Sequence, residues 1–427
     1  MTDIKNNMTA NKMYERSISL PRGTLDLTYQ TNFSGDSKNY ELEDLLGFAQ
    51  RINPKRAFLF VSKVLGRHIP VAPGTMRHAF TDLANLVPDD LPEPILVIGM
   101  AETAVGLSAG VHQALQTRYP NALLLNSTRH AQHNDDNTET LLTTFSEDHS
   151  HASQHLIYQS ADTVTQAQLL ASKTLIMVDD EASTGNTCVN VVTALRNAGL
   201  DQLQQVHLTT LVDWSLNQNQ SHANADDTIA TRLSNIEFHR HHLLSGAWQW
   251  TDAPNPEPIT MPSVDTTEAG SYALGDTGNW GRFPTLDSTD GFAFYLTKFQ
   301  AAFNLFNQQA QSEKEQFDKK QLPKRILVLG SNEFVWLPFL LAEWLETQTQ
   351  NSTVKFSALT RSPIALGGAI TSMLSFSDNY GLGMTNFAYN VEPSDWDLIV
   401  LCVETSADSV DEMWKDLDNV LVVSPTL

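Results

Sequence analysis

The stretch TLIMVDDEASTGNTCVNVVTALRNAG, residues 174–199, constrains the fold more than any other part of the chain. Leu175, Ile176, Met177 and Val178 form an apolar run without alternation, the pattern of a strand buried on both faces. Asp179 and Asp180 end the run, a Ser-Thr-Gly-Asn-Thr turn follows, and apolar residues then recur at helical spacing. A strand covered on both faces needs helices on both sides and further strands beside it. The chain supplies them. EPILVIGMAETAVGLSAGVHQALQ repeats strand, Gly-containing turn and helix, while ALLLNSTRH and QVHLTTLVDWS add strands. A parallel α/β sheet flanked by helices is the predicted architecture.

The rest of the chain is organised around that sheet. Residues 1–19 are expected to form a disordered tail, 20–250 a first α/β domain, 251–290 a Pro/Thr/Ser-rich linker and 291–427 a second α/β domain. Within the first domain, the polar stretch 131–155 is expected to be a long mobile loop. A helix should run from Phe292 to about Phe317. The second domain resembles the first in detail. ILVLGSNEFVWLPFLLAEWLET from Ile326 lies over ILVIGMAETAVGLSAGVHQALQ from Ile95, a shift of 231 that matches Gly99 with Gly330 and Glu102 with Glu333. Thr128-Arg129 then meets Thr360-Arg361, FSEDHSHASQHLIY meets FSDNYGLGMTNFAY, and KTLIMVDDEAS meets WDLIVLCVETS. Four units in one order suggest a degenerate second copy; the alternative is two unrelated domains sharing a generic pattern. In that copy Cys402 and Val403 replace the acid pair, and no phosphate-type turn follows. Its polar candidates are Arg361, Ser362, Asp378 and Asn379.

Charge narrows the ligands. A formal net charge of −22 and a pI of about 4.8 repel nucleic acid and anionic membranes alike, so neither is expected as a partner. The two cysteines, Cys188 and Cys402, form no metal or redox motif. No secretory h-region opens the chain and no apolar run approaches a membrane span, which leads to the expectation of a cytoplasmic protein. One segment departs from the acidic average. Between Leu45 and Thr81 there is no Asp or Glu, yet Arg51, Lys55, Arg56, Lys63, Arg67 and Arg77 fall there, either a solvated basic face or a site for a small polyanion.

In an open α/β sheet, ligands bind beyond the carboxyl ends of the strands. There the turn Ser183-Thr184-Gly185-Asn186-Thr187 aims N–H groups and hydroxyls at one point, at a helix N-terminus, and so forms a phosphate cradle. Paired carboxylates directly before it suit a ligand with vicinal hydroxyls next to its phosphate, as in ribose 5-phosphate. Asp179 and Asp180 would accept from the 2′- and 3′-hydroxyls or hold a metal bridging them. Two other readings remain open at this level: a Mg²⁺ phosphohydrolase using the acid pair, and a plain helix cap. A P-loop is excluded because no Gly-Lys-Ser/Thr follows. His130, His133, His149, His151 and His155 do not have the composition of a zinc site, and His239, His241 and His242 alternate as strand residues do. Cys188, just inside the helix, is expected to be packing.

VDDEASTGNT resembles the phosphoribosyl pyrophosphate (PRPP) motif of type I phosphoribosyltransferases. NPKRAFLFVSKVLGRHIPV, FSEDHSHA and Thr360-Arg361-Ser362-Pro363 extend the likeness to the two-domain phosphoribosyltransferases with a TRSP domain, encoded beside tellurium-resistance genes. The resemblance implies a type I phosphoribosyltransferase sheet followed by a degenerate Rossmann-like domain. It implies transfer of ribose 5-phosphate from PRPP to a small acceptor, with Mg²⁺ and release of pyrophosphate, in making a nucleoside-like metabolite. A non-catalytic PRPP or nucleotide sensor on the same fold is the alternative, and a homodimer is a possibility. Asp179 and Asp180 would then act as catalytic and metal-binding residues. His149 and His151, on a closing loop, would also be catalytic, donating to the leaving pyrophosphate or shielding the site, and Glu181, Ala182, Ser183, Thr184, Gly185, Asn186 and Thr187 would bind the ribose phosphate. Glu102 and Thr103 in the Gly99–Gly106 turn, with Arg129, would face pyrophosphate, and Lys63 and Arg67 of the acid-free segment are expected anion contacts.

Overall fold

The protein is described by a computed structural model over residues 12–31, 40–52, 56–131, 140–146, 154–216, 229, 231–234, 236–256, 258–264, 277–311, 322–349 and 351–426. The strands of the first part are β1 (Met13–Leu20), β2 (Gly23–Thr31), β3 (Leu46–Arg51), β4 (Phe58–Ser62), β5 (Ile95–Gly99), β6 (Leu123–Asn126), β7 (Leu141–Phe145), β8 (His155–Tyr158), β9 (Thr174–Ala182), β10 (Gln205–Asp213) and β11 (Glu237–Asp252). One sheet runs β1-β2-β11-β10-β9-β5-β6. From β11 to β6 every pairing is parallel. The apolar runs explain why. In β5 and β9, Val97, Ile176 and Val178 enter the core on one face, and Leu96, Ile98, Leu175 and Met177 enter the core on the other. Both faces are therefore dry, as period-two alternation within an unbroken apolar run requires.

Helices Pro73–Asn85 and Val105–Leu115 cover one face, and Asn186–Asn197 covers the other. Gly110 lets the first two approach: a Cβ there would lie 2.1 Å from Phe80 Cδ2. Residues 13–19, expected to be tail, instead form β1 at the sheet edge. Tyr14 stacks on Tyr29 with centroids 5.3 Å apart, and Ile18 packs on the core. One-sided burial on an edge strand left too few apolar residues to mark it in the sequence.

The second part contains β12 (Arg325–Ser331), β13 (Thr353–Leu359), β14 (Ile364–Ala365), β15 (Met373–Ser377), β16 (Thr385–Tyr389), β17 (Leu398–Cys402) and β18 (Val420–Val423). Its parallel sheet runs β13-β12-β17-β18. Two features tie it to the first part. Strand β14 pairs with β3, extending the small sheet β14-β3-β4 that roofs the site described below. Residues 277–290, expected to be linker, are a strap: Leu124 and Thr285 exchange backbone hydrogen bonds of 2.8 and 3.0 Å, and Trp280 is fully buried. The Pro- and Thr-rich composition upstream masked the apolar Trp280 and Phe283.

The two parts share one core, in which Phe80 and Leu107 of the first meet Trp336, Phe339 and Phe356 of the second. Trp336 is fully buried, stacks on Phe339 at 5.2 Å and donates from Nε1 to the Ser288 carbonyl at 2.9 Å. Trp336→Ala should therefore lower stability by about 3–5 kcal/mol. Because the core is continuous, circular dichroism and fluorescence should trace a single coincident denaturation curve. Separate transitions for the two parts would contradict a shared core.

Candidate active site

The carboxyl ends of β5, β6 and β9 open onto one cavity of about 910 Å³, roofed by β3 and β4 and closed on one side by residues of the second part. In β9, burial stops where the sequence turns acidic: residues Thr174 to Val178 are buried and Asp179 to Ala182 are half-exposed to the cavity. The Asp180 N–H donates to Asp179 Oδ1 at 2.9 Å. Desolvation, then the charge of Glu181, pushes the Asp180 carboxyl up to about 6. The turn after it ends on Gly185, whose φ of +75° is the left-handed conformation that glycine adopts freely, and helix Asn186–Asn197 begins there. A Cβ on Gly185 would lie 2.8 Å from Ile229 Cδ1, so the small residue is also a packing requirement. Thr184 Oγ1 accepts from the Asn186 N–H at 3.3 Å. Cys188 is buried and its thiol is pushed up to about 12 by desolvation, which leaves it inert packing.

A second cluster faces the same cavity from β5 and β6. Glu102 forms ion pairs with Arg67 and, at 3.8 Å, with Arg361 of the second part. Arg129 lines the cavity, and its backbone N–H donates to Glu333 Oε1 at 2.8 Å. Glu333 Oε2 accepts from Thr128 Oγ1 at 2.6 Å. Burial pulls Arg67 down to about 9, helped by the like charge of Arg361. Thr103 lines the cavity beside them.

The cavity thus gathers Arg67, Glu102, Thr103, Arg129 and Asp179 to Thr187. Lys63 is not among them: its Nζ donates to the Glu43 carbonyl at 2.9 Å, a local contact that charge alone did not reveal. His149 and His151 lie outside the described residues. Glu181 is a wall rather than an open ligand group. Arg56 grips it with bonds of 2.7 and 3.1 Å, and Trp214 Nε1 donates to it at 3.1 Å. Arg56 itself lies over Phe58 and Phe60, each 4.8 Å away, and Phe60 stacks on Trp214 at 4.3 Å. This aromatic wall, with Trp248, was missed; Arg56 stood out only as a charge in an acid-free segment. Of the second part's candidates, Arg361 and Ser362 line the cavity. Asp378 instead accepts from backbone N–H groups of Tyr380, Leu382 and Met384, and Asn379 is buried between Ser331 and Thr405.

The donor set fits a hard divalent cation. Among the described residues no three His, Cys, Asp or Glu side chains gather as a metal cage. Mg²⁺ does not need one: it binds through one or two carboxylates and fills its shell with water and substrate oxygens. Asp179 and Asp180 offer that pair.

Because Glu181 sits against aromatic rings, losing its cation should be costly. Arg56→Met should lower stability by about 1–3 kcal/mol, and adding Glu181→Gln should recover part of the loss. Denaturant melts of the two single variants and the double variant measure this; strictly additive losses would show that the pair is not coupled.

Residues 45–246 match the family model described as "Phosphoribosyl transferase", and residues 298–420 match that of the "TRSP domain C terminus to PRTase_2". No curated protein matches the chain. Similar solved structures include an adenine phosphoribosyl transferase from Trypanosoma brucei in complex with AMP, pyrophosphate and ribose-5-phosphate. It is 13% identical, with 54% of this chain and 86% of that one covered and a TM-score of 0.33. An orotate phosphoribosyltransferase from Aeropyrum pernix is 16% identical, with 44% and 78% covered and a TM-score of 0.24. The two family matches, placed on the two α/β parts and together spanning residues 45–246 and 298–420, show that the chain belongs to the phosphoribosyltransferases that carry a C-terminal TRSP domain.

Proposed function

We propose that the protein transfers the ribose 5-phosphate of PRPP to a small, nitrogenous acceptor, with Mg²⁺, in the synthesis of a nucleoside-like metabolite. One observation carries the reading: an acid pair followed by a glycine phosphate turn shares a single cavity with a cluster of arginines one strand away. PRPP has the matching layout, with vicinal hydroxyls between a 5-phosphate and a pyrophosphate.

Each residue then has a task. The N–H groups and hydroxyls of residues 183–187, at a helix N-terminus, hold the 5-phosphate. Asp179 and Asp180 accept hydrogen bonds from the ribose hydroxyls and would hold Mg²⁺, which when bound screens the charge of the phosphates. Arg67 and Arg129 stabilise the charge that grows on the leaving pyrophosphate. In the reaction the C1–oxygen bond of PRPP breaks with its electron pair on pyrophosphate, and an acceptor lone pair forms the new bond to C1. The protein need not supply a covalent nucleophile; it orients the two reactants and keeps water away from C1. Phe60, Trp214 and Trp248 provide a flat apolar wall suited to an aromatic acceptor. Among the described residues no helix is long and apolar enough to cross a membrane.

Mass spectrometry of incubations with PRPP, Mg²⁺ and a metabolite extract should find a new ribosylated product together with pyrophosphate. PRPP binding without any product under these conditions would favour a sensor. Asp179→Asn combined with Asp180→Asn should weaken PRPP binding by tenfold or more, about 1.4 kcal/mol, in calorimetry; unchanged affinity would contradict the assignment. The acid pair also sets a pH dependence. A carboxyl raised to about 6 is protonated below that pH and then loses its capacity as a pure acceptor. Ribose 5-phosphate affinity should accordingly fall as pH drops through 6, well above the range of an ordinary aspartate. The phosphate itself titrates nearby, so the Asp180→Asn variant is the control: its profile should be flatter.

A further inference from the structure

The two α/β parts touch each other through matching residues. The sheets run β6-β5-β9-β10 and β13-β12-β17-β18, and each unit carries an antiparallel hairpin, β7/β8 or β15/β16, between its second and third parallel strands in chain order. The hairpins join their units identically. Thr128 exchanges backbone hydrogen bonds of 2.9 and 2.8 Å with Leu156, and Thr360 exchanges bonds of 3.0 and 2.7 Å with Phe387. Strand pairing sets Asn126 opposite Gly99 and Ala358 opposite Gly330, so Leu124 corresponds to Phe356 and Arg129 to Arg361.

With that correspondence, the contacts between the units are reciprocal. Glu333 of the second unit is held by Thr128 and the Arg129 N–H of the first; Glu102 of the first pairs with Arg361 of the second. The edge strands follow the same rule. Leu124 pairs with Thr285, which precedes the second unit, while Phe356 pairs with Val71, which precedes the first sheet's β5, by bonds of 2.9 and 2.8 Å. When residue i meets j and the counterpart of j meets the counterpart of i, the interface has two-fold character. Two unrelated domains docked arbitrarily have no reason to satisfy this twice.

The symmetry is broken at the sites. Pairing to Gly99 and Gly330 puts Val403 and Glu404 where the first unit has Asp179 and Asp180, one residue off the alignment read from the sequence. Glu404 is fully buried, ion-paired to Arg282 and bonded to Tyr380 Oη at 2.7 Å, so that position is filled by protein. The reciprocal arm survives on the other side. Arg361 lines the first unit's cavity with its side chain 12% exposed, beside Arg67 and Arg129. The guanidinium groups of Arg67, Arg129 and Arg361 gather there with Glu102 and Glu333, and Asp180 lies within electrostatic reach of Arg67.

We propose that the TRSP domain is a second copy of the catalytic unit, docked as the other half of an internal two-fold pair, and that it supplies Arg361 to bind the pyrophosphate of PRPP. The assignment rests on the phosphoribosyl reading above, and the test separates the two. Full-length wild type, Arg361→Gln and Arg361→Lys are titrated by calorimetry with pyrophosphate and, separately, with ribose 5-phosphate, each with Mg²⁺, and thermal melts check folding. Arg361→Gln should weaken pyrophosphate by about 10- to 100-fold, as expected for losing a charged hydrogen-bond partner, and leave ribose 5-phosphate within about twofold. Arg361→Lys, which keeps the charge but loses the planar fork, should fall between. Pyrophosphate bound as tightly by Arg361→Gln as by wild type would overturn the proposal, as would equal losses for both ligands in folded protein. Wild type that binds neither ligand would instead remove the phosphoribosyl reading, and this proposal with it.

Discussion

Two buried carboxylates, Glu102 and Glu333, govern how the chain is put together. Their side chains are 9% and 1% exposed, and neither finds all of its partners within its own half. A buried charge without a partner costs several kcal/mol, so each acid can stay buried at the junction only because the other half supplies it with a partner. Burial alone would raise the Glu333 carboxyl, but His130, Thr128, the Arg129 N–H and Arg361 outweigh it and hold it below its usual range, ionised. These bonds fix Thr128 and Arg129 at the end of β6, and the ion pairs of Glu102 tie the turn after β5 to Arg67 and Arg361. The cavity wall is therefore a product of docking between the parts.

Docking also completes the roof. Strand β14 follows directly on Thr360-Arg361-Ser362-Pro363 and extends the β3-β4 pair, and the strap at residues 277–290 seals the edge of β6. A chain with net charge −22 can in this way present a locally basic pocket. Arg51, Arg56, Arg67, Arg129 and Arg361 line it against Glu102, Asp179, Asp180 and Glu181, a slight excess of positive charge in a strongly acidic chain. At short range within a low-dielectric wall, these arginines outweigh the distant surface field, which salt screens beyond about 10 Å.

What could be seen in the sequence was the local part of this design. The acid pair and the phosphate turn are contiguous, so one strand–turn–helix unit carries them all. The parallel core was legible for the same reason, because a run such as ILVIG admits few placements. Lys63 and Arg56 show the limit. Both stood in the acid-free segment, but only Arg56 reaches the cavity, drawn there by Glu181 and the rings of Phe58 and Phe60, which come together in the folded sheet. Trp280 and Tyr14 were hidden in polar surroundings for a similar reason, since each packs against residues remote in sequence. Charge marks where a ligand is possible, and tertiary contact decides which charges face it.

The central claim is that one cavity holds both ends of PRPP. Diffraction from crystals of the full-length protein grown with PRPP and Mg²⁺ tests it directly. The account predicts the 5-phosphate against residues 183–187, the ribose hydroxyls at Asp179 and Asp180, and the pyrophosphate among Arg67, Arg129 and Arg361. PRPP bound with its pyrophosphate on the 183–187 turn, or bound in the second part near Glu404, would contradict it.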